Sequence, residues 1–283
     1  MSIISVVIPA LNDAGMLARC LEALALQTRA ADEIVVVDNG STDNTADVAR
    51  AGGARVILEP KRGIPAATAA GFDAAIGDVL ARLDADSIPA TDWLERLEQD
   101  FFQDPGLAAV TGPGEFYGAN KAVRRAGEVL YIGGMFWSMG WLLGHPPLFG
   151  SNFAMRRSTW IRIRDTSHRD IREVHDDLDM SFQFAPGMRI ERDDELHVGI
   201  SARPFRSVAG LGRRVYWVYT TLAANSKDGS LLQRRSEHVA WTREQDRSVK
   251  SARLGRREPT FVGEDVDFGT DFGTELGPDL SPE

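Results

Sequence analysis

Two aspartates one residue apart, Asp84 and Asp86, follow the apolar run Val79–Leu83. Residues two apart along a strand share a side, so the pair delivers two hard carboxylate donors to one spot. Such donors suit Mg2+ or Mn2+ set against a diphosphate. The cation would neutralise charge gathering on a leaving group. An isolated D-x-D is also found in ordinary solvated turns; its place after a hydrophobic strand gives it weight. A second acidic group, His175-Asp176-Asp177-Leu178-Asp179, opens a helical segment. The same residues would serve as caps at a helix N-terminus.

Elements that would position these groups are readable from periodicity. Ile3–Ile8, Ile34–Val37, Arg55–Leu58 and Val79–Leu83 are short runs dominated by apolar and β-branched residues. Such runs fit strands covered on both faces. Between them, Met16, Leu17, Cys20, Leu21 and Leu24 recur at helical spacing after the cap candidates Asn12-Asp13, and helices are expected over Thr45–Ala51 and Pro65–Ile76. The β-α alternation implies a parallel sheet with right-handed crossovers. Ligands of such sheets bind beyond the carboxyl ends of the strands. The polar clusters Pro9–Asp13, Asp38–Asp43 and Asp84–Asp86 all follow strand ends. Further on, the pattern predicts a helix over Trp93–Phe102, a strand over Ala108–Thr111 and helix over 120–144. A strand over Phe149–Met155, helix over Ile171–Phe184, strands within Arg189–Ser201 and an aromatic helix over Leu211–Asn225 complete the order.

Three segments of this sequence resemble the family 2 glycosyltransferases. They are Ser5-Val6-Val7-Ile8-Pro9-Ala10-Leu11-Asn12, the run Glu33–Thr45 with Asp38-Asn39-Gly40-Ser41 at its centre, and Leu83-Asp84-Ala85-Asp86-Ser87. Order and spacing match across residues 3–100. The resemblance implies an α/β GT-A fold, with a mostly parallel central sheet flanked by helices, and a nucleotide-diphosphate sugar as donor. It implies that Pro9, Ala10 and Asn12 line the nucleotide pocket, that Asp38 accepts a hydrogen bond from base or ribose beside Asn39, and that Asp84 and Asp86, with Ala85 between them, hold Mg2+ or Mn2+ on the diphosphate. The family's run before the metal motif has its frame here as Lys61-Arg62-Gly63-Ile64-Pro65-Ala66-Ala67-Thr68. Thr68 stands where Arg is common, and Lys61 or Arg62 would supply the charge instead. In the second half, Phe149-Gly150-Ser151-Asn152-Phe153 resembles the segment beneath donor sugar and acceptor, which puts Ser151 and Asn152 on the acceptor side. By the same resemblance Asp177 is the general base of an inverting transfer, and Asp176 takes the position of a Glu.

Composition bounds the setting. The lone Cys20 excludes an intramolecular disulfide and a cysteine-rich zinc site, which suits a cytoplasmic location. Residues 258–283 hold eight acidic residues and no Lys or Arg, so they carry nearly all of the net charge of -9. The near-neutral remainder has no basic stretch suited to nucleic acid. Val129–Gly150 lacks Asp, Glu, Lys and Arg, but glycines and Pro146-Pro147 interrupt it. It reads as buried or membrane-touching rather than spanning. With Arg203, Arg206, Arg213 and Arg214 it suggests an acceptor lobe at the inner face of a membrane, taking a lipid-linked acceptor. The expected organisation is a nucleotide-sugar half over 1–110, an acceptor half over 111–235 and a charged, disordered tail over 236–283. Two other functions stay open: a sugar-phosphate nucleotidyltransferase, which would carry a glycine-rich basic loop after the first strand, and a non-catalytic nucleotide-sugar-binding protein.

Overall fold

The computed structural model describes residues 2–118, 125, 127–203 and 208–255. Its centre is a seven-stranded sheet in the order β3-β2-β1-β4-β8-β6-β9. The first half is β1 (Ile4–Ala10), α1 (Ala14–Ala25), β2 (Glu33–Asp38), α2 (Thr45–Ala51), β3 (Arg55–Leu58), α3 (Ile64–Ala74) and β4 (Val79–Arg82). These strands pair in parallel, as the alternation requires. The second half brings β6 (Leu107–Thr111), β8 (Phe153–Arg156) and β9 (Arg189–Arg192). β8 runs antiparallel between β4 and β6, and β9 is parallel to β6. A smaller sheet is formed by β5 (Ile88–Pro89), β10 (Val198–Ser201) and β7 (Gly114–Tyr117).

Burial explains why the strands read as unbroken apolar runs. Val6 and Ile8 join a core with Leu17, Leu21, Leu94 and Leu97 from α1 and α4 (Trp93–Gln103). Val7, Val35 and Val37 face the opposite core, with Phe72 of α3 and Trp160 of the short helix α6 (Arg157–Ile163). Close approach of α3 to the sheet demands glycine at one point. A Cβ on Gly71 would lie 2.3 Å from a Val7 methyl and 2.8 Å from a Val37 methyl.

Residues 120–124 and 126 of the expected 120–144 helix lie outside the described residues. After them come a π-helical turn, Gly127–Gly133, and α5 (Gly134–Leu143). Gly144 closes α5 in the left-handed conformation, at φ 81°. No helix among the described residues is long and apolar enough to cross a membrane. Of the expected helix over Ile171–Phe184 only α7 (Asp176–Phe182) forms, and the strand expected over Phe149–Met155 is confined to β8. The shortened starts leave both segments as loops at the sheet edge, where they shape the site.

Beyond them lie α8 (Val208–Lys227) and α9 (Leu231–Gly255). The chain divides into two compact units, Met1–Arg243 and Glu244–Glu283. The first unit therefore extends past the expected boundary at 235, and the stretch expected to be disordered from 236 is helical to Gly255. Charged composition masked an anchoring residue: His238 is buried, with its Nε2 2.6 Å from the Phe184 carbonyl oxygen. Residues 256–283 lie outside the described residues.

One half-buried acid sets a pH dependence of stability. Arg96 on α4 makes a bidentate pair with Asp193, which leaves a buried carboxylate oxygen of Asp100 without a partner. Burial, reinforced by Asp193, pushes the Asp100 carboxyl up to about 6. An unfolded Asp titrates near 4, so the cost of ionising Asp100 in the fold grows from about pH 4 to pH 6 and is complete above that. Because Asp100 is partly exposed, solvent screening reduces this cost to about 1 kcal/mol. Asp100→Asn is expected to raise the melting temperature by about 2–4 °C at pH 7.5. The gain should vanish at pH 4; a gain equal at both pH values would rule out this cause.

Candidate functional site

At the carboxyl ends of β1 and β4 lies a cleft of about 900 Å3. Its floor is charged: Arg82, Asp84, Asp86, Asp176 and Asp177 all line it. The acids from two distant segments thus share one cavity, with Asp84 and Asp86 just past β4 and Asp176 and Asp177 opening α7.

Arg82 joins them. Its side chain is almost fully buried, at 1% exposure. Nη1 donates to Asp84 Oδ1 at 2.8 Å and to the Gly150 carbonyl oxygen, and Nη2 lies 3.3 Å from Asp176 Oδ2. A charge so buried must be paired to be tolerated. Thr68 of α3 donates to the same Asp176 oxygen at 2.7 Å. Gly150 faces both ways: its carbonyl accepts from Arg82, and its N–H donates to Asp177 Oδ2 at 2.7 Å. A Cβ there would lie 2.9 Å from Asp177 Oδ2 and 3.1 Å from Arg82 Nη1, so the loop passes this point as glycine.

The carboxylates are tuned apart. Burial pushes the Asp177 carboxyl up, Asp176 adds to the rise, and His175, Arg82 and the Gly150 N–H oppose it. For Asp84 burial acts in the same sense but is outweighed, first by the Arg82 charge and then by the Ser151 hydroxyl, so its carboxyl falls below the ordinary range. Asp86 is raised by burial and by the Asp84 charge, against Arg203. A partly buried pair of carboxylates, with hard oxygen donors two residues apart, fits a divalent cation. No group of three or more His, Cys, Asp or Glu side chains suited to a metal occurs among the described residues. Asp84 and Asp86 would be two of the ligands of such an ion, as Mg2+ commonly binds through one or two carboxylates.

The other expected site residues fall into distinct places. Ser151 lines the cleft and donates to Asp84 Oδ2. Asn152 does not reach it. It is fully buried, accepting from Trp93 Nε1 at 2.8 Å and donating to the Pro113 and Leu196 carbonyls, so its acceptor-side placement is corrected to a core tie. Pro9 and Ala10 pair with Val37 and Asp38 inside the sheet, and the cleft takes their neighbours Leu11 and Asp13 instead. Asn12, in the left-handed region at φ 52°, accepts from the Thr42 N–H at 2.7 Å and so links the loops after β1 and β2. Asp38 accepts from the Ser41 N–H at 2.8 Å.

Asn39 is buried and works from beneath the next loop. Its amide donates to the Glu59 and Lys61 carbonyls and accepts from the Gly63 N–H at 2.8 Å. Lys61 is ion-paired with Asp170, Arg62 lies over Gly40, and Ala85 is in the core. Sequence reasoning missed Arg82; the signal was a charged residue inside an otherwise apolar strand, two residues before Asp84. Of the basic residues assigned to a membrane face, Arg203 pairs with Asp13 and Asp86, Arg214 donates to the Tyr131 hydroxyl at 3.0 Å, and Arg206 lies outside the described residues.

The mixed sheet, with an acidic pair at a central strand end, is a GT-A fold. Residues 5–164 match the sequence profile described as Glycosyl transferase family 2, and the chain belongs to that family. Glycosyltransferase AglE of Haloferax volcanii is 34% identical over 119 residues, 39% of this chain and 36% of that protein. An uncharacterized glycosyltransferase of Mycobacterium bovis is 39% identical over 109 residues, 38% of this chain. The matches cover between a third and a half of the length of these relatives. Among solved structures, mannosyltransferase PcManGT from Pyrobaculum calidifontis, in complex with GDP-Man and Mn2+, superposes with a TM-score of 0.63 at 19% identity, covering 91% of this chain and 81% of that one. Glucosyl-3-phosphoglycerate synthase from Mycobacterium tuberculosis, in complex with Mg2+ and UDP, gives 0.59 at 23% identity, with 79% of each chain covered.

Removal of the Arg82 charge tests the floor of the cleft. Arg82→Met keeps length and apolar contacts but leaves buried carboxylates uncompensated, and should cost about 3–5 kcal/mol of stability at pH 8. Without the guanidinium, Asp84 loses the charge that holds its carboxyl below the ordinary range, so acid relieves the cost. Chemical denaturation at pH 8 and pH 5 is the measurement; equal losses at both would exclude the electrostatic role.

Proposed function

We propose that this chain is an inverting glycosyltransferase that moves a sugar from a nucleotide-diphosphate sugar to an acceptor hydroxyl. What carries the reading is the meeting of Asp84, Asp86 and Asp177 in one cleft, with the Asp177 carboxyl raised and held by the Gly150 N–H. Asp177 takes the proton as the acceptor oxygen attacks the anomeric carbon; that carbon's bond to the diphosphate oxygen breaks, and the nucleoside diphosphate leaves. A raised carboxyl is a stronger base than an ordinary aspartate and suits this step. Asp84 and Asp86 would hold Mg2+ or Mn2+, which when bound neutralises charge on the diphosphate. Solved GT-A neighbours in complex with GDP-Man and Mn2+ or with UDP and Mg2+ support that assignment.

The nucleoside is assigned to the strand-edge loops, with the Asp38 carboxylate as acceptor, Asn12 and Asn39 keeping the loops in register, and Arg62 as the available cation. The nucleotidyltransferase alternative would need a glycine-rich basic loop after β1, and Leu11-Asn12-Asp13 is not one. A non-catalytic binder would have no use for a base on the acceptor side.

The acceptor is read as lipid-linked. Away from the acids, the cleft wall includes an apolar stretch of Met135, Met139, Leu148, Phe149 and Val218, beside the polar Ser138 and Arg214. On α5, Trp137 and Trp141 are 77% and 57% exposed, and the Arg235 guanidinium lies 4.8 Å from the Trp141 ring centre. Exposed tryptophan beside arginine suits contact with a membrane interface, here the cytoplasmic face where nucleotide sugars would be drawn.

Asp177→Asn is expected to bind donor as the parent does and to lose turnover by about 10²–10⁴-fold. For the parent, activity should rise with pH through a midpoint above the ordinary aspartate value. The donor is found by thermal shift against UDP-, GDP- and dTDP-sugars with and without Mn2+, since a ligand of the native state raises its melting point. No shift with any of them would remove the donor assignment. Vesicles containing anionic lipid should co-sediment the protein, and Trp137→Ser with Trp141→Ser should release it; equal sedimentation of parent and variant would exclude the membrane contact.

A further inference from the structure

The transfer chemistry leaves one charged bridge in the cleft without a role. Arg203, just past β10, grips Asp13 with Nη1 at 2.9 Å and Nη2 at 2.8 Å, and Nη2 also reaches Asp86 Oδ2 at 2.9 Å. Asp13 belongs to the loop after β1, and all three residues line the cleft. Arg203 is partly exposed, its side chain 45% accessible, so the bridge is not locked in a core. Asp84 has Arg82 and Ser151 as partners, whereas Arg203 is the cation at ion-pair distance from Asp86 among the described residues. The Tyr117 hydroxyl nearby donates to the Asp86 backbone carbonyl and leaves the carboxylate to Arg203.

We propose that Arg203 is the resident counter-ion of Asp86, and that a nucleotide diphosphate draws it off so that Asp86 can take the divalent cation. The proposal rests on the donor reading given above. A guanidinium and a divalent ion repel each other and compete for one carboxylate, so the bridge weakens binding of the metal alone. A diphosphate offers the released guanidinium oxygens that match its fork. Metal and nucleotide then bind with positive coupling, each strengthening the other by the same factor. Free metal is held poorly, and the metal site is completed when the donor arrives. Asp13, as the second grip, sets how firmly the arginine is retained.

The test is Mn2+ binding to the full chain, followed by electron paramagnetic resonance, alone and with UDP or GDP. Arg203→Gln should bind Mn2+ without nucleotide roughly fivefold more tightly than the parent, since an ion pair of this exposure is worth up to about that factor. The boost given by nucleotide should shrink. Arg203→Lys keeps the charge but not the fork; it should stay near the parent without nucleotide and show a smaller boost. A gain in affinity is not what a damaged fold produces, and adding Asp86→Asn should abolish it. Unchanged or weaker Mn2+ binding by Arg203→Gln without nucleotide overturns the proposal while leaving the donor reading intact. Failure of the parent to bind Mn2+ even with either nucleotide overturns both.

Discussion

The buried guanidinium of Arg82 is the interaction on which the cleft depends. Acids from two segments nearly a hundred residues apart converge there, and without a cation beneath them they would repel one another and lose solvation. Arg82 satisfies that constraint through Asp84, Asp176 and the Gly150 carbonyl at once. It ends β4 and lies on the side of the strand that Asp84 continues, so the sheet fixes its direction. The antiparallel β8 beside β4 then brings the Gly150–Ser151 loop within reach. One side chain therefore couples the first half of the sheet to the second.

The same arrangement divides labour among the carboxylates. Asp84 is nearest the guanidinium and stays ionised to low pH, as befits a group meant to face a cation. Asp177 contacts Gly150 rather than the arginine, and burial raises it. Pairs of acids pushed in opposite directions by their surroundings are the usual way a fold keeps one carboxylate as a charge and another as a base. The separation here arises because the Arg82 charge and the Ser151 hydroxyl outweigh burial at Asp84, whereas at Asp177 burial prevails.

Much of this frame was legible from periodicity. Thr45–Ala51 and Arg55–Leu58 coincide with α2 and β3, because short elements with clear turn chemistry at both ends leave little room for error. The convergence of strand-end loops also followed from the α/β alternation. What was not legible were partners distant in sequence. Asn39 and Asn152 look like surface ligands in a motif, yet both spend their amides on backbone carbonyls in the interior. Arg82 was hidden for the opposite reason: a charge in an apolar run looks like noise until its partners, 68 and 94 positions on, are known. His238 shows the same limit in a charged helix, where composition could not reveal a buried contact with Phe184.

Thr68 shows how the departure from the family pattern can be accommodated. Where an arginine is common in the resembling run, this chain has a buried hydroxyl donating to Asp176. A second guanidinium there would lie next to Arg82 around the same carboxylate, where the two like charges would repel. With Arg82 already supplying the charge from β4, a neutral donor on α3 completes the hydrogen bonding of Asp176 without that repulsion. In this chain the Thr68 hydroxyl and the Arg82 guanidinium thus partner one Asp176 oxygen from two elements, α3 and β4.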